Sequence, residues 1–376
     1  MKKIILSIFI LFLIDFTCYS IAQDKDVKII FQRFVKLYNS GDFINAENCL
    51  LNVLNSKNNL SEKYLVAVYN NLGATNTQLG NYIKAQEYYS DAEGVIRNRL
   101  QNLLDLADIF INKAIIYGNQ KSYPLSIEYF EKGIRIYLNV KKSDKSVFYR
   151  ISTAYLNIGI IYYETGDYLT ALNYLRKSAE LKQNENLSES AFVFLNIAKT
   201  YVKLLNYVEA DKFFQWSIES SNKEFGENYF RFAEIYFGYG LFLQSVGRNA
   251  EALEIQKRAL SICLKNYGEK HTLVSLSYKH MGDNYLIQNK YDSALYYFQK
   301  AVAVDPVLTP GWINLGMAYR QLGEYPKALA CYQKVLDFDT GNSRAYFALA
   351  ELYSDLGDVN KSLYYYDLGR KASEKK

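Results

Sequence analysis

Hydrophobic side chains recur along this chain at the spacing of amphipathic α-helices. The clearest segment is residues 311–335, whose first half repeats apolar or small residues at i, i+3, i+4 and i+7. Gly323 then provides a left-handed stop, and Pro326 stands where a second helix would begin. The segment predicts two helices joined by a tight turn. The positions that trace the two faces are Trp312, Leu315, Gly316 and Tyr319, followed by Ala328, Tyr332 and Val335.

The same pattern recurs along nearly the whole chain. A small residue marks each second helix, and successive markers lie 34 to 45 residues apart. A turn glycine recurs with the marker. Because several repeated positions agree in this way, the sequence predicts nine helical hairpins. The markers are Ala46, Ala85, Ser126, Ala171, Ala210, Ala252, Ala294, Ala328 and Ser362. The turn residues are Gly41, Gly80, Gly166, Gly247, Gly323 and Gly357, with Asn289 in the equivalent place.

Composition supports an all-α protein. Hydrophobic residues make up 49% of the 376 residues and charged residues 22%, which is enough apolar material for a large core. Only 4 Pro and 20 Gly are present, whereas an all-β sandwich or barrel needs a turn signal every 8 to 12 residues or so. The 36 Tyr and 21 Phe indicate rings packed between stacked helices.

The N-terminus has the pattern of a secretory signal peptide. Two lysines precede an apolar run at residues 4–14, and small residues follow, so we expect cleavage after Ala22. A run of about a dozen residues is too short to span roughly 30 Å of hydrocarbon. We therefore expect residues 1–22 to be removed and the mature chain, without a membrane span, to be periplasmic or secreted. An uncleaved anchor and a lipoprotein modified at Cys18 are the less favoured alternatives.

Charge and thiol spacing give little indication of chemistry. The formal net charge is +5, and the densest basic stretch, residues 141–145, contains Asp144 and is typical of a solvated loop. We expect no nucleic-acid binding. Cys49, Cys263 and Cys331 lie far apart in sequence and have no C-x-x-C spacing, so we interpret them as small buried hydrophobes.

No pattern in the sequence indicates an enzyme. The only histidines are His271 and His280, whereas a metal site needs three or four ligands. Phosphate-binding and nucleophile-elbow motifs do not occur. We therefore predict no catalytic residue, no metal and no cofactor.

These repeats resemble the tetratricopeptide repeat family, whose unit carries a W-x-x-L-G-x-x-Y and A-x-x-x-F pattern. The resemblance covers residues 27–370, and the units near Ala252 and Ala294 are similar to the longer repeats of kinesin light chains, with longer helices accounting for the extra residues. It implies a right-handed α-solenoid of about nine repeats forming one array over residues 23–376. In the family, the first helices line a concave groove that binds ligands.

Polar amides recur just before the small residue of the first helices. A side-chain amide carries donors and an acceptor, so a row of amides can pair with the backbone of an extended peptide. The O-GlcNAc transferase of the same family uses a similar asparagine ladder. The alternative is that each amide only satisfies a neighbouring helix backbone. The proposed peptide-binding residues are Gln32, Asn71, Asn112, Asn157, Asn196 and Asn314.

Apolar pairs one helical turn apart flank these amides. On the family geometry they give the groove an apolar floor that would receive hydrophobic side chains of a partner, such as an amphipathic helix or a strand-like segment. The alternative is that they are buried against neighbouring helices. The pairs carried into the predicted groove are Ile111 with Ile115, Leu156 with Ile160, and Phe237 with Leu241.

Two cations match part of the carboxylate clamp of some family members. Lys279 and Arg344 stand on successive first helices with Asn314 between them, a set that could hold a C-terminal carboxylate. The match is incomplete, because Asp283 stands where that clamp has an asparagine and would repel a carboxylate.

The sequence thus predicts an exported, non-enzymatic scaffold that binds a peptide or protein segment in a concave groove. Two other classes stay open: an anchored sensory or regulatory ectodomain, and a noncatalytic subunit of an envelope enzyme complex. The identity of the partner and the oligomeric state are not encoded in any pattern of the sequence.

Overall fold

The computed structural model describes residues 25–55, 60–96, 103–140, 144–187, 190–225 and 232–374. These residues form eighteen α-helices and no strand, so the predicted all-α class is confirmed. The predicted signal peptide at residues 1–22 lies outside them. The first helices of the nine pairs are α1 (Lys25–Asn39), α3 (Glu62–Leu79), α5 (Leu103–Asn119), α7 (Lys145–Glu164), α9 (Ser190–Lys203), α11 (Phe232–Ser245), α13 (Thr272–Ile287), α15 (Thr309–Gln321) and α17 (Ser343–Asp355). The second helices are α2 (Phe43–Asn55), α4 (Tyr82–Ile96), α6 (Tyr123–Asn139), α8 (Tyr168–Asn184), α10 (Tyr207–Phe225), α12 (Asn249–Tyr267), α14 (Tyr291–Val304), α16 (Tyr325–Phe338) and α18 (Val359–Glu374).

The helices are grouped into two compact units, Met1–Leu205 and Asn206–Lys376. Unit 1 contains α1 to α9, and unit 2 contains α10 to α18. Within each unit, adjacent helix pairs pack as repeats, and each second helix also contacts the first helix of the next pair. This is the predicted α-solenoid arrangement. The longer helices predicted for the units near Ala252 and Ala294 are found in part: α12, which contains Ala252, has 19 residues, whereas α14, which contains Ala294, has 14, as many as α16.

The first helices end at residues with a left-handed backbone conformation, at positions that the sequence predicts. Gly80 has φ of 78°, and its N–H is directed to carbonyl groups in the last turn of α3. Asn289 takes the same conformation with φ of 58°. Lys121 and Leu205 occupy left-handed positions in two turns that have no glycine, which the sequence pattern did not indicate. The other predicted turn glycines with positive φ are Gly41, Gly166, Gly247, Gly323 and Gly357.

Small residues allow the two helices of a hairpin to approach closely. A Cβ atom added at Gly73 would lie 2.4 Å from Cε1 of Tyr89, which is fully buried. Where serine replaces the marker alanine, its hydroxyl donates to the backbone of the partner helix: Ser126 Oγ lies 2.6 Å from the carbonyl oxygen of Ala114. Small residues on both helices of a hairpin therefore set the distance between those helices.

Gly73→Ala is expected to destabilise unit 1 by about 1–3 kcal/mol, because its methyl group overlaps a buried tyrosine ring that has no free space to move into. Gly94 lies on the partner helix α4 with nothing within 4 Å of an added Cβ, so Gly94→Ala should stabilise by about 0.5–1 kcal/mol through helix propensity. Urea unfolding of both variants measures the difference. Equal effects at the two glycines would contradict the close-approach account.

Candidate functional site

Three of the six predicted ladder amides are inside the protein. Asn71, Asn112 and Asn157 have exposed fractions of 1%, 6% and 0%. The Asn112 side chain donates from Nδ2 to Oδ1 of Asn70 across α3 and α5, at 2.9 Å. In this conformation these three side chains are enclosed by other helices, and Asn112 pairs with a side-chain amide rather than with a helix backbone.

The other three ladder residues differ from one another. Gln32 is exposed on α1. Asn196 is half-buried and donates to the carbonyl of Phe192, one turn earlier in α9, at 2.8 Å. Asn314 is half-buried and donates to the Asp283 carboxylate at 2.6 Å. The structure therefore does not bring the amides together as one continuous polar row.

First helices are buried more completely than an open groove requires. In unit 1, α5 contacts its own hairpin partner α6, the preceding second helix α4 and the preceding first helix α3. Successive first helices α3 and α5 are therefore in direct contact. Residues 66–68 and 70–77 of α3 are all buried.

In unit 1, the residues predicted to form the apolar groove are buried as well. Ile111 and Ile115 are fully buried in a cluster with Phe130 and Ile134 of α6, and Leu156 and Ile160 are exposed by only 1% and 7%. These four side chains are core residues. The equivalent pair in unit 2 differs, because Phe237 is half-buried and Leu241 is 44% exposed.

In unit 2, the first helices α11, α13, α15 and α17 carry accessible side chains that form one series of contacts. We call it the unit 2 face and define it by side chains that contact one another from helix to helix. Phe237 and His280 join α11 to α13, with ring centroids 5.6 Å apart. Asp283 and Asn314 join α13 to α15. Arg320 joins α15 to α17 through Glu351 and Asp355.

Asp283 is the centre of the polar contacts on this face. Its Oδ2 atom lies 2.8 Å from Lys279 Nζ and 3.6 Å from His280 Nδ1, while Oδ1 accepts from Asn314. Burial alone would raise the pKa of the Asp283 carboxyl, but the neighbouring His280 and Lys279 outweigh burial, and the pKa is lowered. The carboxylate is therefore ionised and neutralises Lys279.

This geometry corrects the predicted carboxylate clamp. Lys279 already binds a carboxylate of its own helix, and Asn314 is hydrogen-bonded to the same group. Arg344 is exposed on α17 and remains accessible. Asp283 thus makes the contacts with Lys279 and Asn314 that a ligand carboxylate would make. From the sequence we expected only that Asp283 would repel such a carboxylate.

Ionic contacts between first helices were missed by the sequence reasoning. Asp108 of α5 is 6% exposed, lies 2.6 Å from the Arg150 guanidinium of α7, and accepts a hydrogen bond from the Tyr137 hydroxyl. Burial and the Asp108 charge raise the pKa of Tyr137. Arg320 makes the comparable contact in unit 2. In the sequence, the only indication of these ionic contacts is a charged residue inside an otherwise apolar helix pattern.

Within the described ranges, no group of three or more His, Cys, Asp or Glu side chains could hold a metal ion. Likewise, none of the helices described here combines the length and the apolar character needed to cross a membrane.

Family models identify the repeats. Models described as tetratricopeptide repeat match residues 66–98 and 107–140, residues 150–223 and 231–306, residues 310–342 and residues 331–364. The chain belongs to the tetratricopeptide repeat family. The resemblance inferred from the sequence is confirmed, and tetratricopeptide repeats imply a protein-interaction scaffold. No protein of curated function matches this sequence.

Solved structures share the fold of this tetratricopeptide repeat protein. The apo form of RapI superposes with a TM-score of 0.67 at 13% identity, covering 93% of this chain and 98% of RapI. BtubC (BKLC) from P. vanneervenii gives a TM-score of 0.52 at 18% identity, covering 57% of this chain and 89% of that protein. At these identities the likeness concerns the fold alone.

Asp283→Asn is expected to lower the stability of this tetratricopeptide repeat protein in a pH-dependent way. Because the folded-state pKa of Asp283 is lowered, its contribution is present above the unfolded-state pKa and is lost as the pH falls through the folded-state pKa. The wild type should exceed the variant by about 1–3 kcal/mol at neutral pH. The difference should shrink below about pH 4.

Urea unfolding between neutral and acidic pH measures this difference. Asp337→Asn is the matched control, since Asp337 is an exposed carboxylate on α16. A stability difference for Asp283→Asn that stays the same at every pH would contradict the assigned role of the carboxylate.

Proposed function

We propose that this protein is an exported, non-enzymatic scaffold that binds a protein segment on the unit 2 face. The proposal rests on one position of the first helices, whose solvent exposure differs between the repeats. Leu241 in α11 is 44% exposed, whereas its counterparts Ile115 and Ile160 in unit 1 are exposed by 0% and 7%. An aliphatic side chain exposed beside an aromatic ring is a contact for a partner's apolar residues.

The charges on the face favour apolar recognition. Lys279 and Asp283 neutralise each other, and Arg320 is paired with Glu351 and Asp355. On α13, the helix that contacts Phe237, the cation and the carboxylate therefore compensate each other. An amphipathic helix or an extended segment with exposed apolar side chains matches this chemistry.

The backbone-pairing mechanism is not retained for the buried ladder. Asn71, Asn112 and Asn157 would have to leave helix interfaces before they could contact a peptide, and a separated buried amide costs about 1–3 kcal/mol. Side-chain recognition at Phe237 and Leu241 requires no such rearrangement. The proposal therefore assigns recognition to the apolar pair of α11.

Photo-crosslinking in the native host tests the site. A crosslinking residue at position 241 is expected to give a discrete protein adduct, because this side chain projects from the unit 2 face. Lys257, 50% exposed on the second helix α12, is the control position. Adducts of equal yield from both positions, or adducts from Lys257 alone, would place function on another surface.

Leu241→Asp should weaken binding of the crosslinked partner by at least about tenfold, since it removes apolar contact and buries a charge at the interface. Ile83→Asp is the matched control: Ile83 is 77% exposed on α4 of unit 1. Isothermal titration with the purified partner measures both. Unchanged affinity for Leu241→Asp, or equal losses in the two variants, would overturn the assignment of the site.

The export part of the proposal rests on the pattern of residues 1–22. Mass spectrometry of the protein from its host should show a chain beginning at Gln23. A retained N-terminus would instead favour the anchored ectodomain, and modification at Cys18 would favour the lipoprotein.

A further inference from the structure

His280 lies beside the apolar pair to which recognition is assigned on the unit 2 face. The centroid of its ring is 5.6 Å from that of Phe237, and the two rings are tilted by 46°. Phe237 is half-buried, and Leu241 follows it one turn later on α11 with 44% of its side chain exposed. A partner side chain that covers this apolar pair therefore also approaches the imidazole of His280.

The imidazole has a nitrogen atom that is not engaged by the protein. Nδ1 of His280 is buried and has no hydrogen-bond partner within the described residues. It lies 3.6 Å from Oδ2 of Asp283, which is too far for a hydrogen bond but close enough for an ion pair with a protonated ring. Oδ2 also lies 2.8 Å from Lys279 Nζ, and Oδ1 accepts from Asn314. Histidine is the side chain that changes charge between about pH 5 and 8.

The chain contains two histidines, and the other one makes a different set of contacts. His271 is the N-cap of α13, where its Nδ1 accepts a hydrogen bond from the backbone N–H of Leu273 at 3.2 Å. Its ring stacks on Tyr267, with centroids 4.4 Å apart. Since Nδ1 of His271 already acts as an acceptor, a proton on that atom would break the cap. His271 therefore provides a matched control for His280.

Among the described residues, four helices pack against α13, namely α11, α12, α14 and α15. Their charged side chains are Glu234 on α11; Glu251, Glu254, Lys257, Arg258 and Lys265 on α12; Asp292 and Lys300 on α14; and Arg320 on α15. Glu234 precedes Phe237 by one turn, and Arg320 is paired with two carboxylates of α17. The charged group within ion-pair distance of His280 is Asp283, on α13 itself.

We propose that His280 makes recognition on the unit 2 face depend on pH, so that the face releases an apolar segment when this histidine is protonated. The inference rests on the proposed function, because it concerns the same apolar pair. A proton on Nδ1 gives the ring a positive charge, and His280 and Lys279 then share the single carboxylate of Asp283. An apolar partner that covers Phe237 would have to remove water from this charged ring, which is costly.

The direction of the effect follows from the linkage between proton binding and partner binding. Because the partner disfavours the charged form of the histidine, the affinity falls as the pH falls. The pKa of the Asp283 carboxyl is lowered, so that group stays ionised while the histidine changes charge. The affinity of the wild type should be about three- to tenfold lower at about pH 5.5 than at about pH 7.5.

NMR of the free protein tests the device without a partner. With labelled histidine and asparagine, the ring signals of His280 and the side-chain amide signals of Asn314 can be followed between about pH 5 and 8. Both sets should shift with one midpoint, since a protonated His280 competes for the carboxylate that accepts from Asn314. Asn314 signals that stay constant while His280 takes up its proton would overturn the proposal.

Isothermal titration with the protein that crosslinks at position 241 tests the effect on recognition at the same two pH values. His280→Gln cannot take up a proton, so its affinities at the two pH values should be equal. His271→Asn keeps a capping side chain and should retain the wild-type difference. Circular dichroism confirms that both variants keep their helices.

The outcomes separate this inference from the proposed function. Equal affinity of the wild type at both pH values, a pH difference that persists in His280→Gln, or one that is lost in His271→Asn would overturn the role of His280 and leave the binding site in place. Absence of binding at both pH values would overturn the proposed function, and the pH-dependent recognition with it.

Discussion

The structure depends on the close approach of paired helices at positions that carry no large side chain. Gly73, Gly282 and Gly316 each receive a ring from the second helix of the same hairpin, and an added methyl group would lie within about 2.5 Å of that ring. This approach is what buries Tyr89, Phe298 and Tyr332 completely. Since protein interiors are close-packed, the ring fills the space that the glycine leaves beside its backbone. Each hairpin is therefore a rigid block that can stack on the next.

Stacking these blocks brings first helices into contact with one another, and this contact decides which residues can meet a partner. Asn112 reaches across to Asn70, and Asp108 reaches Arg150, so the first helices of unit 1 are linked by polar bonds that are themselves buried. Such groups are costly to separate, because each would leave an unpaired polar atom in the interior. Among the amides that resemble a ligand-binding ladder, Asn112 is therefore part of the framework of unit 1.

Unit 2 uses its polar groups differently. Asp283 supplies a carboxylate to Lys279 and Asn314, which could otherwise bind a carboxylate of a ligand. The result is a face with paired charges and an exposed aliphatic residue. A single carboxylate thus pairs the cation and the amide that would otherwise be open to an anion.

The amino-acid sequence by itself determined the hairpins, their turns and the family, because small residues, glycines and aromatic rings are required locally and recur with the repeat. It also indicated that Ile115, Ile160 and Leu241 occupy one repeated position. Only the tertiary structure decided that this position is buried in α5 and α7 and exposed in α11. The reason is physical: exposure depends on the side chains that neighbouring helices pack against a position, and those come from several repeats rather than from the residue itself.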